Sequence, residues 1–281
     1  MKNFIVLSHY QATHLLKHRD SIGNTIKVST DLNISLREGI IRTEGVKLQG
    51  SGILPWQALQ EIASTPNNCF TFTGGVYEKI LTFSELTNSA YSLYPTESAP
   101  TMLISGIPMH RIKDTNPKKD TNEKIKAARP AGRVLDTATG LGYTAVAAAK
   151  TAEYVITIEL DPDAEKICQL NPWSQDLFDN SRIEQRIGDS FDVIETIEDA
   201  SLNRIIHDPP TFSLAGHLYS RDFCAEMYRV LKPGGRAFHY IGDPKSKSGR
   251  RITAGVIRRL EQVGFSQVHR APRAFGVVAY K

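Results

Sequence analysis

The chain has 281 residues, 41% of them hydrophobic and 23% charged, with a formal net charge of +4. That composition supplies a real core and argues against extensive disorder, and the length suits one large domain with a smaller appendage. Lys2 and the run Phe4 to Leu7 are too short for a signal peptide, nothing approaches a membrane span, and Cys69, Cys168 and Cys224 lack metal-ligand spacing. A cytoplasmic protein with buried or incidental thiols, no bound metal and no membrane partner is therefore expected.

Residues 1–95 show short strand-like pieces and glycine turns without a strand–helix rhythm, which predicts a small α+β domain with a role in substrate recognition. Gly45 separates Ile40-Ile41-Arg42 from Val46-Lys47-Leu48, and Gly74-Gly75 separates Cys69–Phe72 from Val76–Leu81, giving two hairpins. A helix from Pro55 to Ala63 lies between them. Residues 96–130 form a connector, in which Asp120-Thr121-Asn122-Glu123 has capping-box spacing for a helix leading to Ala128.

From 131 to 281 apolar strand-like runs alternate with helical segments, the pattern of a parallel α/β sheet covered on both faces. Strands are predicted at 133–136, 154–159, 183–187, 203–207 and 236–241. A helix ending at Leu231 is expected to stop at Lys232-Pro233-Gly234-Gly235. A last helix from Ile252 to Val263 precedes a terminal hairpin of Ser266–Arg270 and Ala274–Tyr280.

Residues Arg133 to Thr144 read as a buried strand, a glycine loop and a helix start. Gly140 and Gly142 allow a sharp turn and a close backbone approach to a ligand, the arrangement that holds nucleotide-like cofactors. Ligands of open α/β sheets bind beyond the carboxyl ends of the strands. Four acids stand there: Asp136, Glu159, Asp189 in Gly188-Asp189-Ser190, and Asp208 in His207-Asp208-Pro209-Pro210. Glu159, seventeen residues beyond Gly142, suits a pair of ribose hydroxyls, Asp189 an adenine amino group, and Asp136 an ammonium. Gly140-x-Gly142-x-x-Ala145 also fits a dinucleotide fingerprint, but in that fingerprint the first glycine follows the strand almost at once, whereas here Asp136 and three more residues intervene.

The ordered set Asp136-Thr137-Ala138-Thr139-Gly140-Leu141-Gly142, Val155–Asp161, Gly188-Asp189-Ser190, Asp208-Pro209-Pro210 and Leu231–Gly235 resembles class I S-adenosylmethionine-dependent methyltransferases, with Ala138 where many members have a glycine. With Gly106–Arg111 and Asn171–Ser174, the chain looks like a predicted archaeal-type methyltransferase family with a spermidine-synthase-like catalytic domain. The resemblance implies a Rossmann-like doubly wound sheet of seven strands with the last antiparallel, and S-adenosylmethionine as cofactor with S-adenosylhomocysteine as product. It places Asp136, Thr137, Ala138, Gly140, Gly142, Glu159, Leu160, Asp189, Ser190 and Asp208 at the cofactor, and Asp208, Pro209 and Phe212 at the reacting group. Asp-Pro-Pro resembles the motif of amino-methyltransferases, with Thr211 in the aromatic place and Phe212 next. Aminopropyl transfer is the alternative, since Phe212–Tyr219 and Arg221-Asp222-Phe223 have a layout similar to spermidine synthases. A small-molecule or protein methyltransferase and a non-catalytic binding module are further readings.

Between Lys232 and Lys281 there are eleven Lys and Arg against Asp243 and Glu261. A solvated basic face accounts for this; so does a polyanion surface, with Lys245, Lys247, Arg250, Arg251, Arg258 and Arg259 touching the phosphates of RNA, the favoured acceptor. His207, Tyr219 and Phe223 are expected to be packed, Trp173 to lie under the adenine side, and Met109 and His110 to belong to the linker.

Overall fold

The computed structural model describes residues 5–212 and 214–281, and the Ser248 side chain is not among the described parts. Lys2, Phe4 and Ser213 of the sequence reading thus lie outside the described residues.

The chain forms two units. The first runs to Lys118 and includes Asp163–Gln175. It contains β1 (Ile5–Leu7), α1 (His9–Leu16), β2 (Thr25–Val28), β3 (Arg37–Ile41), β4 (Gly45–Leu48), β5 (Gly52–Pro55), α2 (Trp56–Ala63), β6 (Phe70–Thr73), β7 (Val76–Lys79), β8 (Leu81–Ser84), β9 (Ser89–Tyr94), β10 (Thr101–Ile104) and β11 (Ile107–Pro108). The strands make three antiparallel sheets, ordered β2-β3-β4-β5, β1-β6-β7 and β11-β10-β9-β8. Both predicted hairpins are present as β3–β4 and β6–β7. Leu7, Leu15, Val46, Leu54, Leu59 and Ile62 share one core. Ser8 caps α1 and receives Gln11 in return, a capping box. His110 is buried, with Nδ1 3.0 Å from the Thr101 hydroxyl. Trp173 donates its indole N–H to the Leu32 carbonyl at 2.9 Å.

The second unit comprises Lys119–Pro162 and Asp176–Lys281. In chain order from here run α3 (Pro117–Ala128), β12 (Arg133–Asp136), α4 (Tyr143–Ala148), β13 (Tyr154–Glu159), α5 (Pro162–Leu170), all but the first residue of which belongs to the first unit, α6 (Asp176–Asp179), β14 (Ile183–Ile187), α7 (Ser190–Glu195), β15 (Leu202–His207), α8 (Arg221–Val230), β16 (Leu231–Tyr240), α9 (Lys247–Gln262), β17 (Ser266–Ala271) and β18 (Gly276–Tyr280). The seven strands form one sheet in the order β14-β13-β12-β15-β16-β18-β17. β18 runs antiparallel to both of its neighbours, and the β12–β16 pairs are parallel. This is the Rossmann-like methyltransferase fold. The strand order reverses at β12, so the crevice beyond β12 and β15 is a topological switch point where ligands of such sheets sit.

Val134, Leu135, Val155, Ile156, Ile205 and Ile206 are fully buried, as strands covered on both faces require. Phe223, Cys224, Met227 and Val230 give α8 its buried stripe, and Val256 and Leu260 do so for α9. Three boundaries correct the sequence reading. α3 starts at Pro117, so Asp120 lies in its first turn and does not cap it. The chain leaves α8 at Val230 and is already extended at Leu231, which pairs with Leu202; an irregularity before the Arg204–Arg236 pair absorbs Pro233-Gly234-Gly235 inside β16. α9 begins at Lys247, because the Ser246 hydroxyl accepts the Gly249 amide. All three cysteines are free and buried. Among the described residues no helix is long and apolar enough to cross a membrane.

Phe223 has no exposed surface, and its ring lies 4.8 Å from that of His207. Phe223→Ala is expected to lower stability by about 3–5 kcal/mol, read as a shift of the urea unfolding midpoint with an unchanged slope.

Candidate active site

The glycine loop leaves β12 at Asp136 and is tied to the neighbouring strands. The Thr137 amide donates to Ile206 O at 3.0 Å and the Thr139 amide to Ile158 O at 2.8 Å. Gly140 and Gly142 have φ of 51° and 74°, the left-handed region that favours glycine. At Gly142 a Cβ would also stand 2.7 Å from Leu177 Cδ2.

Asp136 is fully buried. Its Oδ2 accepts the Thr144 hydroxyl at 2.8 Å and the Thr157 hydroxyl at 3.3 Å, and Oδ1 is buried with no hydrogen-bond partner among the described residues. Burial pushes its carboxyl up to about 8; the Asp208 charge adds to the rise, while the two hydroxyls and the Ala138 amide oppose it. Glu159 accepts the Gly140 amide at 2.8 Å and the Asp161 amide at 3.2 Å. Burial raises its carboxyl to about 7 against the pull of those amides. Leu160 beside it is exposed.

Asp189 caps α7 by accepting the Phe191 amide at 2.8 Å, and its other oxygen lies 3.2 Å from His217 Nε2. The Ser190 hydroxyl donates to the Thr137 carbonyl. His207 Nε2 lies 3.0 Å from the Leu218 carbonyl. A carbonyl only accepts, so Nε2 carries the proton and Nδ1 accepts from the Thr137 hydroxyl at 2.6 Å. Burial, with His239 nearby, holds His207 well below the usual imidazole range. It is a neutral, fully bonded strut, and Tyr219 and Phe223 are buried around it.

The Asp-Pro-Pro loop follows β15. Asp208 Oδ2 lies 2.5 Å from Lys124 Nζ, and the same ammonium is 3.0 Å from Asp120 Oδ2 and 4.7 Å from the Tyr240 ring centre. Lys124 is 2% exposed. Burial pulls its ammonium down, yet Asp208 and Asp120 together carry it above the ordinary lysine value, so it stays charged. Tyr219 Oη donates to the Pro210 carbonyl at 3.0 Å. Pro209 is buried, and the exposed Phe212 ring stands edge-on to Tyr219 at 5.4 Å.

The structure thus brings Asp136, Thr137, Ala138, Gly140, Glu159, Ser190 and Asp208 to the carboxyl edge of adjacent strands. Leu160 and Phe212 lie at the exposed margin. Sequence reasoning missed Lys124 and Asp120; their spacing of four on a predicted helix was the available signal, one that ordinarily marks a solvated pair.

No family model matches the chain. It is 43% identical over 233 residues to the uncharacterized protein MJ1233 of Methanocaldococcus jannaschii, covering 82% of this chain and 79% of that one. The chain belongs to the family of that archaeal protein. Two solved structures share its fold: spermidine synthase from Thermotoga maritima, with a TM-score of 0.56 at 18% identity over 73% of this chain and 74% of that one, and a spermidine synthase in complex with the transition-state analogue AdoDATO, with a TM-score of 0.59 at 17% identity over 73% and 75%.

Two predictions follow from these carboxyl groups and their cation. A carboxyl whose folded value lies above its unfolded one stabilises most when protonated, and that contribution is lost as pH rises through the folded value. Melting temperature should therefore fall as pH climbs from about 5 to about 8.5, and Asp136→Asn should flatten the decline; an equally steep decline in the variant would reject the assignment. Lys124→Met leaves Asp120 and Asp208 without their shared cation and should cost about 3–5 kcal/mol. Adding Asp208→Asn should recover part of that loss in a double-mutant cycle of urea unfolding.

Proposed function

We propose that this chain is an S-adenosylmethionine-dependent methyltransferase acting on a nitrogen, with RNA as the favoured acceptor. The observation that carries the reading is the charge around Asp208. In an aminopropyl transfer the acceptor amine is a cation, and a buried lysine already occupies the Asp208 carboxylate. Arg251, Arg258 and Arg259 line the cavity beside Thr211 and Phe212. A cationic acceptor there meets repulsion from these three guanidinium groups, whereas a neutral or anionic acceptor does not.

The residues suit the cofactor. The orphaned Asp136 Oδ1 fits an ammonium, and Glu159, held at the loop by two amides, has lone pairs left for ribose hydroxyls. The cofactor would supply an electrophilic methyl on a sulfonium. Toward it the protein contributes alignment: Asp208 and the Pro209 carbonyl accept from the acceptor N–H groups and turn the nitrogen lone pair toward the methyl carbon. With the cofactor bound, that chemistry would exchange the carbon–sulfur bond for a nitrogen–carbon bond, the pair leaving with sulfur and the proton of the N–H held by Asp208 passing to solvent. Proline geometry and the Tyr219–Pro210 bond keep the loop fixed, which is where such a displacement gains most.

Calorimetric titration with S-adenosylmethionine should give saturable binding that Glu159→Ala weakens by about tenfold or more. Asp208→Ala should lower turnover by about a hundredfold while changing cofactor affinity only a few-fold. Labelled S-adenosylmethionine offered to RNA, protein and metabolite fractions should label RNA. Turnover of decarboxylated cofactor with a polyamine instead would overturn the methyltransferase reading.

A further inference from the structure

The cavity beside the acceptor loop lies outside the glycine-loop crevice and has a distinct chemistry. It encloses about 430 Å³ between the loop after Pro210 and the outer face of α9, within the range of small-ligand sites. Thr211 and Phe212 form one wall; Arg251, Ile252, Arg258 and Arg259 form the other. No carboxylate among the described residues lines it. Among the described residues none of the three arginines makes an ion pair, and Arg259 Nε is buried with no hydrogen-bond partner.

Gly255 explains how Arg259 comes to lie there. A Cβ on Gly255 would stand 3.2 Å from Arg259 Nη1 and 3.4 Å from Nη2, so the missing side chain lets the guanidinium fold back along the helix surface one turn below. Phe212 gives an exposed aromatic face whose position is set by the buried Tyr219. An apolar ring beside three guanidinium groups free of carboxylates is the complement of a planar base joined to a phosphate.

We infer that this cavity binds one nucleotide of the acceptor, its phosphate on Arg251, Arg258 and Arg259 and its base against Phe212. The inference rests on the RNA reading above and adds where and by which group the acceptor is gripped. Phe212 is four residues from Asp208, so a nucleotide held here sits next to the nucleotide offered for transfer.

The test is binding of a fluorescein-labelled single-stranded oligoribonucleotide by anisotropy, with calorimetric cofactor binding measured on every variant as an independent report of an intact fold and cofactor site. Arg251→Ala with Arg258→Ala should weaken RNA binding at least tenfold and reduce the slope of log affinity against log salt by about 0.7 for each arginine removed. Phe212→Ala should weaken it at least fivefold without altering the slope. Gly255→Ala should weaken it by displacing Arg259. Lys150→Ala removes an exposed charge elsewhere on the same unit and should change little. A nucleoside 5′-monophosphate should compete, and the unphosphorylated nucleoside should compete far less. Equal losses from Lys150→Ala and Arg251→Ala, or equal competition by nucleoside and nucleotide, would overturn the site while leaving RNA as acceptor. Cofactor binding without any RNA binding would overturn both this site and the RNA reading, and leave the methyltransferase reading to the labelling experiment.

Discussion

The Asp-Pro-Pro end of this sheet depends on a lysine ammonium that has almost no contact with water. Stripping Lys124 of solvent costs several kcal/mol unless charges of the opposite sign replace the water. Asp120, one helical turn earlier on α3, supplies one carboxylate, and Asp208, at the end of β15, supplies the other. The cluster therefore ties a helix to a strand end 84 positions away in sequence. Asp208 opens the Asp-Pro-Pro loop, and two residues on, the Pro210 carbonyl is held by Tyr219. If the loop swung away, Lys124 would keep Asp120 but lose its 2.5 Å partner in a buried place, which opposes that movement.

A second group of contacts divides the carboxyl edge into a finished half and an unfinished one. Thr137 donates to His207, His207 donates to Leu218, and Ser190 donates to Thr137, so donors and acceptors are matched around a neutral imidazole. Nothing in that chain asks for a ligand. Asp136 and Glu159 differ: burial pushes both carboxyls upward, and Asp136 keeps an oxygen with no partner among the described residues. Matched polar groups make scaffold; costly unmatched ones at a switch point mark the place where a ligand would complete the set.

The α/β fold was legible because covered parallel strands run apolar on both faces, as Val134-Leu135, Val155–Ile158 and Ile205-Ile206 do. Asp136, Glu159 and Asp208 could be placed at the carboxyl edge because apolar runs end at or just before them. His207 also read correctly as a packed residue, since it closes an apolar strand. Lys124 escaped notice because burial, and not spacing, gives it meaning, and burial follows from tertiary contacts. Pro233-Gly234-Gly235 read as a helix stop because its turn chemistry is strong, yet Leu231 pairs into the sheet before them and the irregularity in β16 takes up the excess. The start of α9 was hidden for a different reason: Lys247 to Arg251 carry no apolar period, and the Ser246 cap alone announces the helix.

Charge separation along the edge bears on how two substrates would meet. Asp136 and Glu159 are buried carboxyls whose ionisation a bound cation would favour, and Arg251, Arg258 and Arg259 favour an anion, while Lys124 is already matched by Asp120 and Asp208. Under the proposed reading, a sulfonium cofactor beside the two carboxyls and a phosphate-bearing acceptor on the three arginines would attract each other, whereas a sulfonium and an ammonium would repel. On that same reading, methyl transfer would leave a neutral thioether, so the attraction that assembled the pair would weaken at the reacting centre, which would favour product departure and concentrate the electrostatic advantage on the state before transfer.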